Sequence, residues 1–135
     1  MNYVLDTSAV SAIMKGSPAV VDRLAATTPA QVTIPQPVLA EIAFGIERLP
    51  RSKRRTSLQA RFDLVSAELP RAEWTDAVSR MFGRIKATLE RRGTRIEDFD
   101  AAIAAHALAL EATLVTANLD HMIRVPGLRV EDWDS

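Results

Sequence analysis

A short apolar run near the start of the chain stops abruptly at an acid. Tyr3-Val4-Leu5 directly precedes Asp6, and a strand buried on both faces of a parallel sheet has this continuous apolar character. In open parallel sheets, ligands bind just beyond the carboxyl ends of the strands, which is where Asp6 would lie. Thr7 and Ser8 carry hydroxyls that can bond the turn or cap a helix, so they could hold Asp6 rigidly. Taken alone, Asp6 is equally well explained as the end of a strand.

Strand and helix patterns alternate along the rest of the chain. Apolar β-prone runs predict further strands over 31–34, 114–116 and 128–130. Helical spacing of apolar residues predicts helices over 8–14, 19–26, 39–49, 74–89 and 101–110, with a weaker helical pattern after 51–55. Gly93 is the expected cap of the long helix over 74–89. Strands separated by helices with short connections predict an α/β fold with a central, mainly parallel sheet.

The length and composition fit one domain over residues 1–135. Hydrophobic residues make up 47% and charged residues 25%, an ordinary globular composition. Seventeen basic residues balance seventeen acidic ones, so contact with a polyanion would need local segregation of charge. The chain has no cysteine, which excludes disulfides and thiolate metal sites. No stretch is apolar enough to span a bilayer, and the N-terminal residues do not resemble a signal peptide, so we expect a cytoplasmic protein without membrane contact.

Four acids stand where such a fold would bring them together. They are Asp6 after the first strand, Glu41 in a helix, Asp100 at a helix start and Asp120 after a strand. Two carboxylates ~4 Å apart repel by several kcal/mol at an effective dielectric near 20, so the cluster needs protons or a cation. Mg²⁺ suits such oxygen ligands, with Mn²⁺ as the alternative ion. A cation of this kind could promote phosphodiester hydrolysis, with Asp6 and Asp100 as its main ligands.

Each acid also has a plainer interpretation. Glu41 could be a solvated helix residue, although Gly45 one turn later is a costly choice inside a helix and often marks a close approach. Asp100 could serve only the helix dipole, with Asp98 as the better cap. We favour Asp100 because it directly abuts the alanine-rich segment. Asp120 could be a loop cap.

Several other residues are candidates for supporting roles. Thr116 could hydrogen-bond an acid, and Asn118 could contact a metal or its water or merely cap a loop. We favour a core hydrogen bond over catalysis for His106, and we do not expect His121 to be a ligand. The basic run Arg51, Lys53, Arg54 and Arg55 is usually a solvated face, but beside an acidic centre it could hold RNA phosphate.

Four segments together resemble the PIN-domain family, and within it the VapC-type toxins, including the FitB-like branch. They are Tyr3-Val4-Leu5-Asp6-Thr7-Ser8-Ala9, Ile34-Pro35 with Leu39-Ala40-Glu41-Ile42, Asp100-Ala101-Ala102-Ile103-Ala104-Ala105-His106-Ala107, and Leu114-Val115-Thr116-Ala117-Asn118. The resemblance spans nearly the whole chain. It implies a three-layer α/β/α fold and a Mg²⁺-dependent endoribonuclease that is the toxin of a type II toxin–antitoxin pair.

The resemblance also assigns residues and partners. Asp6, Glu41 and Asp100 match the family's three main metal-site acids. The fourth acidic position falls near Asn118 to His121, where the commoner form has an Asp-Phe pair and this chain has Asp120-His121-Met122; whether Asn118 or Asp120 completes the site stays open. The family implies a homodimer and a cognate antitoxin that contacts DNA and inserts a segment into the active groove, so that DNA is bound only indirectly.

Two rival functions follow from the same residues. A catalytically silent PIN-like subunit could act only through its antitoxin in a DNA-bound repressor complex, although the intact acid set argues against this. A phosphatase or receiver-type domain also uses acids at strand ends, but the chain lacks an Asp-x-Asp-x-Thr motif because Thr7 and Ser8 follow Asp6. We rank the nuclease first and the phosphatase last.

Overall fold

A five-stranded parallel sheet forms the centre of the fold in the computed structural model, which describes residues 1–134. The strands are β1 (Tyr3–Leu5), β2 (Val32–Pro35), β3 (Arg71–Ala72), β4 (Thr113–Val115) and β5 (Val130–Glu131). They lie in the order β3-β2-β1-β4-β5. Val4 pairs with Thr33 on one side and with Leu114 on the other, so β1 is the central strand. The predicted α/β class with a parallel sheet is confirmed.

Helices cover both faces of the sheet. They are α1 (Thr7–Met14), α2 (Pro18–Ala25), α3 (Gln36–Glu47), α4 (Lys53–Glu68), α5 (Asp76–Arg92), α6 (Asp98–Ala109) and α7 (Leu119–Met122), with a 3₁₀ turn at Pro29–Gln31. Successive side chains of a strand point to opposite faces, and Val4 and Leu5 are both 0% exposed. The sheet is therefore buried on both sides, which confirms the three-layer arrangement.

The order of the strands creates a crevice beside β1. The chain moves outward from β1 through β2 to β3, and then returns through α5 and α6 to place β4 on the other side of β1. Connections leaving two neighbouring strands in opposite directions open a gap at their carboxyl ends, which is where open α/β sheets bind ligands. Asp6 and Thr116 directly follow these two strands.

The two helices on the return path pack closely together. Every residue from Ala101 to Ala107 in α6 is buried, and its small side chains let α5 and the strands β1 and β4 approach its backbone. From α5, Val78, Ile85 and Leu89 are buried. Within residues 1–134, no helix has the length and apolar content needed to cross a membrane.

Many element boundaries differ from the sequence prediction by one to three residues, and four differences stand out. Helix α5 begins at Asp76 rather than at Trp74, because the Thr75 hydroxyl caps it by accepting from the Val78 N–H at 3.3 Å. Helix α6 begins at Asp98, before the apolar run. The predicted turn after Asn118 contains the short helix α7, and the two-residue strand β3 was not predicted. Gly93 ends α5 in a left-handed conformation (φ 69°), as predicted.

Candidate active site

Asp6 is fixed at the end of the central strand. Its side chain is 4% exposed, and its backbone N–H donates to the Val115 carbonyl at 3.0 Å. The carboxylate itself caps α1, because Oδ1 accepts from the Ala9 N–H at 2.9 Å and from the Ser8 hydroxyl at 2.6 Å. The Ser8 hydroxyl thus holds Asp6 directly rather than through the turn backbone, and Asp6 rather than a hydroxyl caps the helix.

The loop after β4 completes the support of Asp6. The Ser8 hydroxyl accepts from the Ala117 N–H at 2.9 Å, which ties α1 to this loop. Thr116 is buried and hydrogen-bonds Asp6, and its hydroxyl accepts from the Asn118 N–H at 2.8 Å. Burial raises the pKa of Asp6, and the hydrogen bonds from Ser8, Thr116 and the α1 backbone only partly offset that rise. Asp6 therefore occupies a site that disfavours an uncompensated negative charge.

Glu41 is linked to the same strand end through Thr7. The Thr7 hydroxyl donates to Glu41 Oε1 at 2.5 Å across 34 positions of sequence. Because Thr7 directly follows Asp6, this bond brings the α3 carboxylate to the carboxyl end of β1. Glu41 is half-buried in α3. The structure thus gives Thr7 a partner on another helix, whereas the sequence predicted a local turn bond.

Asp100 faces the other two acids from the first turn of α6. Burial raises its pKa most, and the negative charges of Glu41 and Asp6 raise it further. The positive form of His121 lowers the pKa of Asp100, and the Glu97 carboxylate raises it. Interaction between carboxylates from α3, β1 and α6 shows that the fold brings the three predicted acids together. Asp98, the alternative considered for a cap, instead pairs with Lys86 at 3.1 Å.

The donor chemistry of this cluster fits a hard divalent cation. Asp6, Glu41 and Asp100 supply oxygen ligands, which Mg²⁺ and Mn²⁺ prefer. Burial raises the pKa of Asp6 and of Asp100, so a cation beside them would favour their ionised forms. Within residues 1–134, no three acidic or histidine side chains are already arranged to enclose a metal ion. The fit therefore rests on donor type and electrostatics, with Asp6 and Asp100 as the ligands we propose.

Helix α7 places the remaining candidates at the rim. Asp120 is exposed in α7. Asn118 is the residue before α7, and its side-chain Nδ2 lies 3.0 Å from His121 Nδ1. His121 is near enough to lower the pKa of Asp100, a relation that sequence reasoning missed. The spacing of three residues between Asn118 and His121 was a signal, because such pairs meet on one helical turn.

The four residues of the predicted basic run have different surroundings in the structure. Arg55 forms an ion pair with Glu47 at 3.1 Å and donates to the Leu49 carbonyl at 3.2 Å, so it joins α4 to α3. Arg51 and Lys53 are exposed at the start of α4. Arg54 lines an open cavity of about 300 Å³ that also includes Glu41. Of the four residues, Arg54 is the one that the structure places beside the acids.

This cavity is a groove that we call the α1–α3–α4 groove. Its apolar floor includes Met14, Ile42, Ile46 and Leu58, and its cations are Lys15, Arg48 and Arg54. Gly45 also lines it, and a Cβ built there would meet no described atom within 4 Å. The chain itself makes no close approach at Gly45, so the open space lies over the helix face next to Glu41.

His106 has a structural role, as predicted. Its side chain is fully buried in α6, and Nδ1 lies 2.9 Å from the Ala102 carbonyl. Trp74 packs edge-on against the ring, with 5.4 Å between the ring centroids. Burial lowers the pKa of His106, so the neutral form is favoured.

Comparison with known proteins agrees with this geometry. Residues 3–128 match the PIN domain family model. The ribonuclease VapC2 of Rickettsia felis is 33% identical over 103 residues, which cover 76% of this chain and 75% of the relative. The tRNA(fMet)-specific endonuclease VapC of Salmonella typhimurium is 27% identical over 98% of both chains. The chain also superposes on the structure of VapBC2 from Rickettsia felis bound to a promoter DNA fragment, with a TM-score of 0.88, 29% identity and coverage of 99% and 100%.

The fold, the acid cluster and these similarities agree on one classification. The chain belongs to the PIN domain family. Both relatives are VapC proteins and the structural neighbour is a VapBC2 complex, so the chain is of the VapC type within that family, and the resemblance drawn from the sequence is confirmed. The names of the two relatives, a ribonuclease and an endonuclease, also support the predicted class of enzyme, a nuclease.

Proposed function

We propose that this protein is a divalent-metal-dependent endoribonuclease that acts as the toxin of a toxin–antitoxin pair. The observation that carries the proposal is the meeting of Asp6, Glu41 and Asp100 at the crevice beside β1, where burial and then the carboxylates of Glu41 and Asp6 raise the pKa of Asp100. Acids without a shared role would not need to lie so close together. A cluster that disfavours its own ionised form is instead suited to binding a cation.

Asp6 and Asp100 are the residues that would hold the ion, with Mg²⁺ or Mn²⁺ as its identity. A bound divalent cation supplies positive charge that offsets the negative charge developing on a phosphodiester and makes water a stronger nucleophile. The chain's contribution is to fix the carboxylates. Ser8 and Thr116 hold Asp6, and Thr7 holds Glu41. Glu41 would assist Asp6 and Asp100 in holding the ion, and Asn118 or Asp120 would orient the ion or the water.

The proposed substrate is RNA. The basic side chain of Arg54 lies in the groove beside Glu41, where it could bind phosphate, and the exposed Arg51 and Lys53 would extend that contact along the strand. The Salmonella typhimurium relative is named for cleavage of tRNA(fMet). Transfer RNA is therefore the first RNA class to test.

The proposed partner is an antitoxin protein that binds the α1–α3–α4 groove. The groove combines an apolar floor with a rim of cations and reaches Glu41, so a peptide segment that filled it would also block the acids. The structural neighbour from Rickettsia felis is a VapBC2 complex with promoter DNA. We propose that this chain forms a homodimer in its own complex and meets DNA only through its antitoxin.

The test is cleavage of purified bulk transfer RNA by protein freed of its antitoxin. Wild-type protein, Asp100→Asn and the matched control Asp22→Asn, an exposed acid on α2, are compared with Mg²⁺, Mn²⁺ or EDTA. We expect wild type and Asp22→Asn to cut with metal, Asp100→Asn to lose at least ~100-fold in rate, and EDTA to abolish cutting. Equal cutting by wild type and Asp100→Asn would refute the proposal.

Growth after expression without the antitoxin separates the nuclease from a silent binding subunit. A nuclease arrests growth in the wild-type and Asp22→Asn forms, and Asp100→Asn relieves the arrest at equal protein level. A silent subunit leaves growth the same in all three strains. That result, together with no cleavage of transfer RNA, ribosomal RNA or message, would favour the binding subunit.

A further inference from the structure

Helix α7 presents one imidazole edge to the crevice in a defined orientation. Asn118 Nδ2 lies 3.0 Å from His121 Nδ1. An amide nitrogen only donates, so His121 Nδ1 accepts this hydrogen bond, and the proton of the neutral ring is on Nε2. The asparagine therefore leaves His121 with an outward-facing N–H donor that no other group in the described part of the chain uses.

His121 also lines a second cavity. This cavity of about 500 Å³ lies between α7 and the connection from α5 to α6, and we call it the α5–α7 cavity. The cavity is lined by Lys86, Arg95, Ile96, Glu97, Asp98 and His121. Asp98 forms an ion pair with Lys86 at 3.1 Å. Arg124 donates a hydrogen bond to the Arg95 carbonyl at 2.9 Å, and this bond fixes the connection between α5 and α6.

Open cavities thus adjoin two of the residues around the crevice. Glu41 lines the α1–α3–α4 groove, and His121 lines the α5–α7 cavity. A strand of RNA that places one phosphodiester at the acids must continue in both directions. Contacts to the neighbouring phosphates set the register of such a strand, and N–H donors are the usual groups that make them.

We propose that His121, oriented by Asn118, donates from Nε2 to a phosphate oxygen of the RNA next to the bond that is cut, and so positions the strand across the acids. This inference rests on the proposed ribonuclease function. The contact assigned to His121 is one that Asp120, the acid on the same turn, cannot make. An ionised carboxylate only accepts hydrogen bonds and repels phosphate.

Three substitutions of His121 separate the donor from the rest of the ring. His121→Gln places an amide N–H near the position of Nε2, His121→Asn places its amide near Nδ1 and leaves no outward donor, and His121→Ala removes both. Each is combined with Asp100→Asn to prevent cleavage, and binding of fluorescently labelled bulk transfer RNA is measured by anisotropy. We expect His121→Asn and His121→Ala to weaken binding about tenfold and His121→Gln to stay within about threefold of the parent.

Steady-state cleavage with His121 variants that keep Asp100 gives the second readout. We expect His121→Asn to raise KM by a similar factor and His121→Gln to restore it. Equal RNA affinity and equal KM in all variants would overturn the inference. A defect in His121→Gln with normal behaviour of His121→Asn would also overturn it, because the acceptor rather than the donor would then matter.

Two controls keep this test independent of other roles. Mn²⁺ affinity is measured by titration without RNA, and a loss in His121→Ala would make His121 a metal ligand and overturn the inference. His121 is exposed, so thermal unfolding is expected to be unchanged. If Asp100→Asn still cleaves RNA as wild type does, the proposed function fails, whereas normal RNA binding by every His121 variant defeats this inference alone.

Discussion

The ionised carboxylate of Asp100 destabilises the metal-free fold because of where it lies. Burial and the charges of Glu41 and Asp6 raise its pKa, so the folded chain takes up a proton there more readily than the unfolded chain does. Stability linked to this group therefore increases as the pH falls from above the folded-state pKa toward the ordinary value of 3.8. At neutral pH, the ionised carboxylate opposes folding of the metal-free protein.

Replacing that charge is expected to stabilise the metal-free fold. Asp100→Asn keeps the shape of the side chain and removes the repulsion, so we expect a higher Tm than wild type in EDTA at pH 7.5. Asp98→Asn is the matched control, since it lies in the same first turn of α6 but pairs with Lys86 at the surface, and it should lower the Tm slightly or leave it unchanged. A Tm for Asp100→Asn that falls with the control would contradict this account.

His106 gives the opposite pH dependence. Burial lowers its pKa in the folded state, so the unfolded chain binds the proton more readily. Stability from this residue is present above the unfolded-state value of 6.5 and declines as the pH falls below it. We expect the free energy of unfolding in urea to drop from pH 7.5 to 5.5 by less in His106→Leu than in wild type. The same drop in both proteins would show that His106 does not titrate on unfolding.

At the scale of elements, α3 shows how a helix face can be left open for a partner. Gly45 lies in the helix interior above the α1–α3–α4 groove with nothing within 4 Å of an added Cβ, and Gly83 in α5 has the same free space. Alanine at either position should stabilise the protein by about 1 kcal/mol, because glycine is a poor helix former.

Only one of these two glycines lies in the groove. We expect Gly45→Ala to weaken binding of a co-purifying antitoxin or to slow RNA cleavage, while Gly83→Ala leaves both at the wild-type level. Urea unfolding measures the stability of each variant, and pull-down and cleavage assays measure function. A functional loss in Gly83→Ala equal to that in Gly45→Ala would show that the groove has no special role.

The sequence predicted elements well where a pattern was long and poorly where it was short. The alanine-rich run of α6 and the apolar run of β1 were predictable because only burial on all sides explains such continuous apolar sequence. Strand β3 has two residues and helix α7 has four, which is too short for a period to be visible. The start of α5 was misplaced because Trp74 continues the apolar stripe, although Thr75 supplies the cap.

At the scale of the whole molecule, the positions of the acids were predictable but their links were not. Acids at the ends of parallel strands share one edge of the sheet, which led to Asp6 and Asp120, and the start of the alanine-rich helix led to Asp100. The hydrogen bond from Thr7 to Glu41 joins residues 34 positions apart, and that from Ala117 to Ser8 joins residues 109 apart. Such bonds depend on helix rotation and strand order, which local patterns do not encode. His121 was missed for the same reason, since its relation to Asp100 exists only after the chain returns from β3 to β4.

The central claim is that acids from separate elements act as one cation site. Isothermal titration calorimetry of the metal-free protein with Mn²⁺ tests this claim without knowledge of the RNA target. The account predicts that wild type and Asp22→Asn bind Mn²⁺ with equal affinity, and that Asp6→Asn and Asp100→Asn each weaken binding by about tenfold or more. Unchanged Mn²⁺ affinity in either of these two variants, with the fold intact, would contradict it.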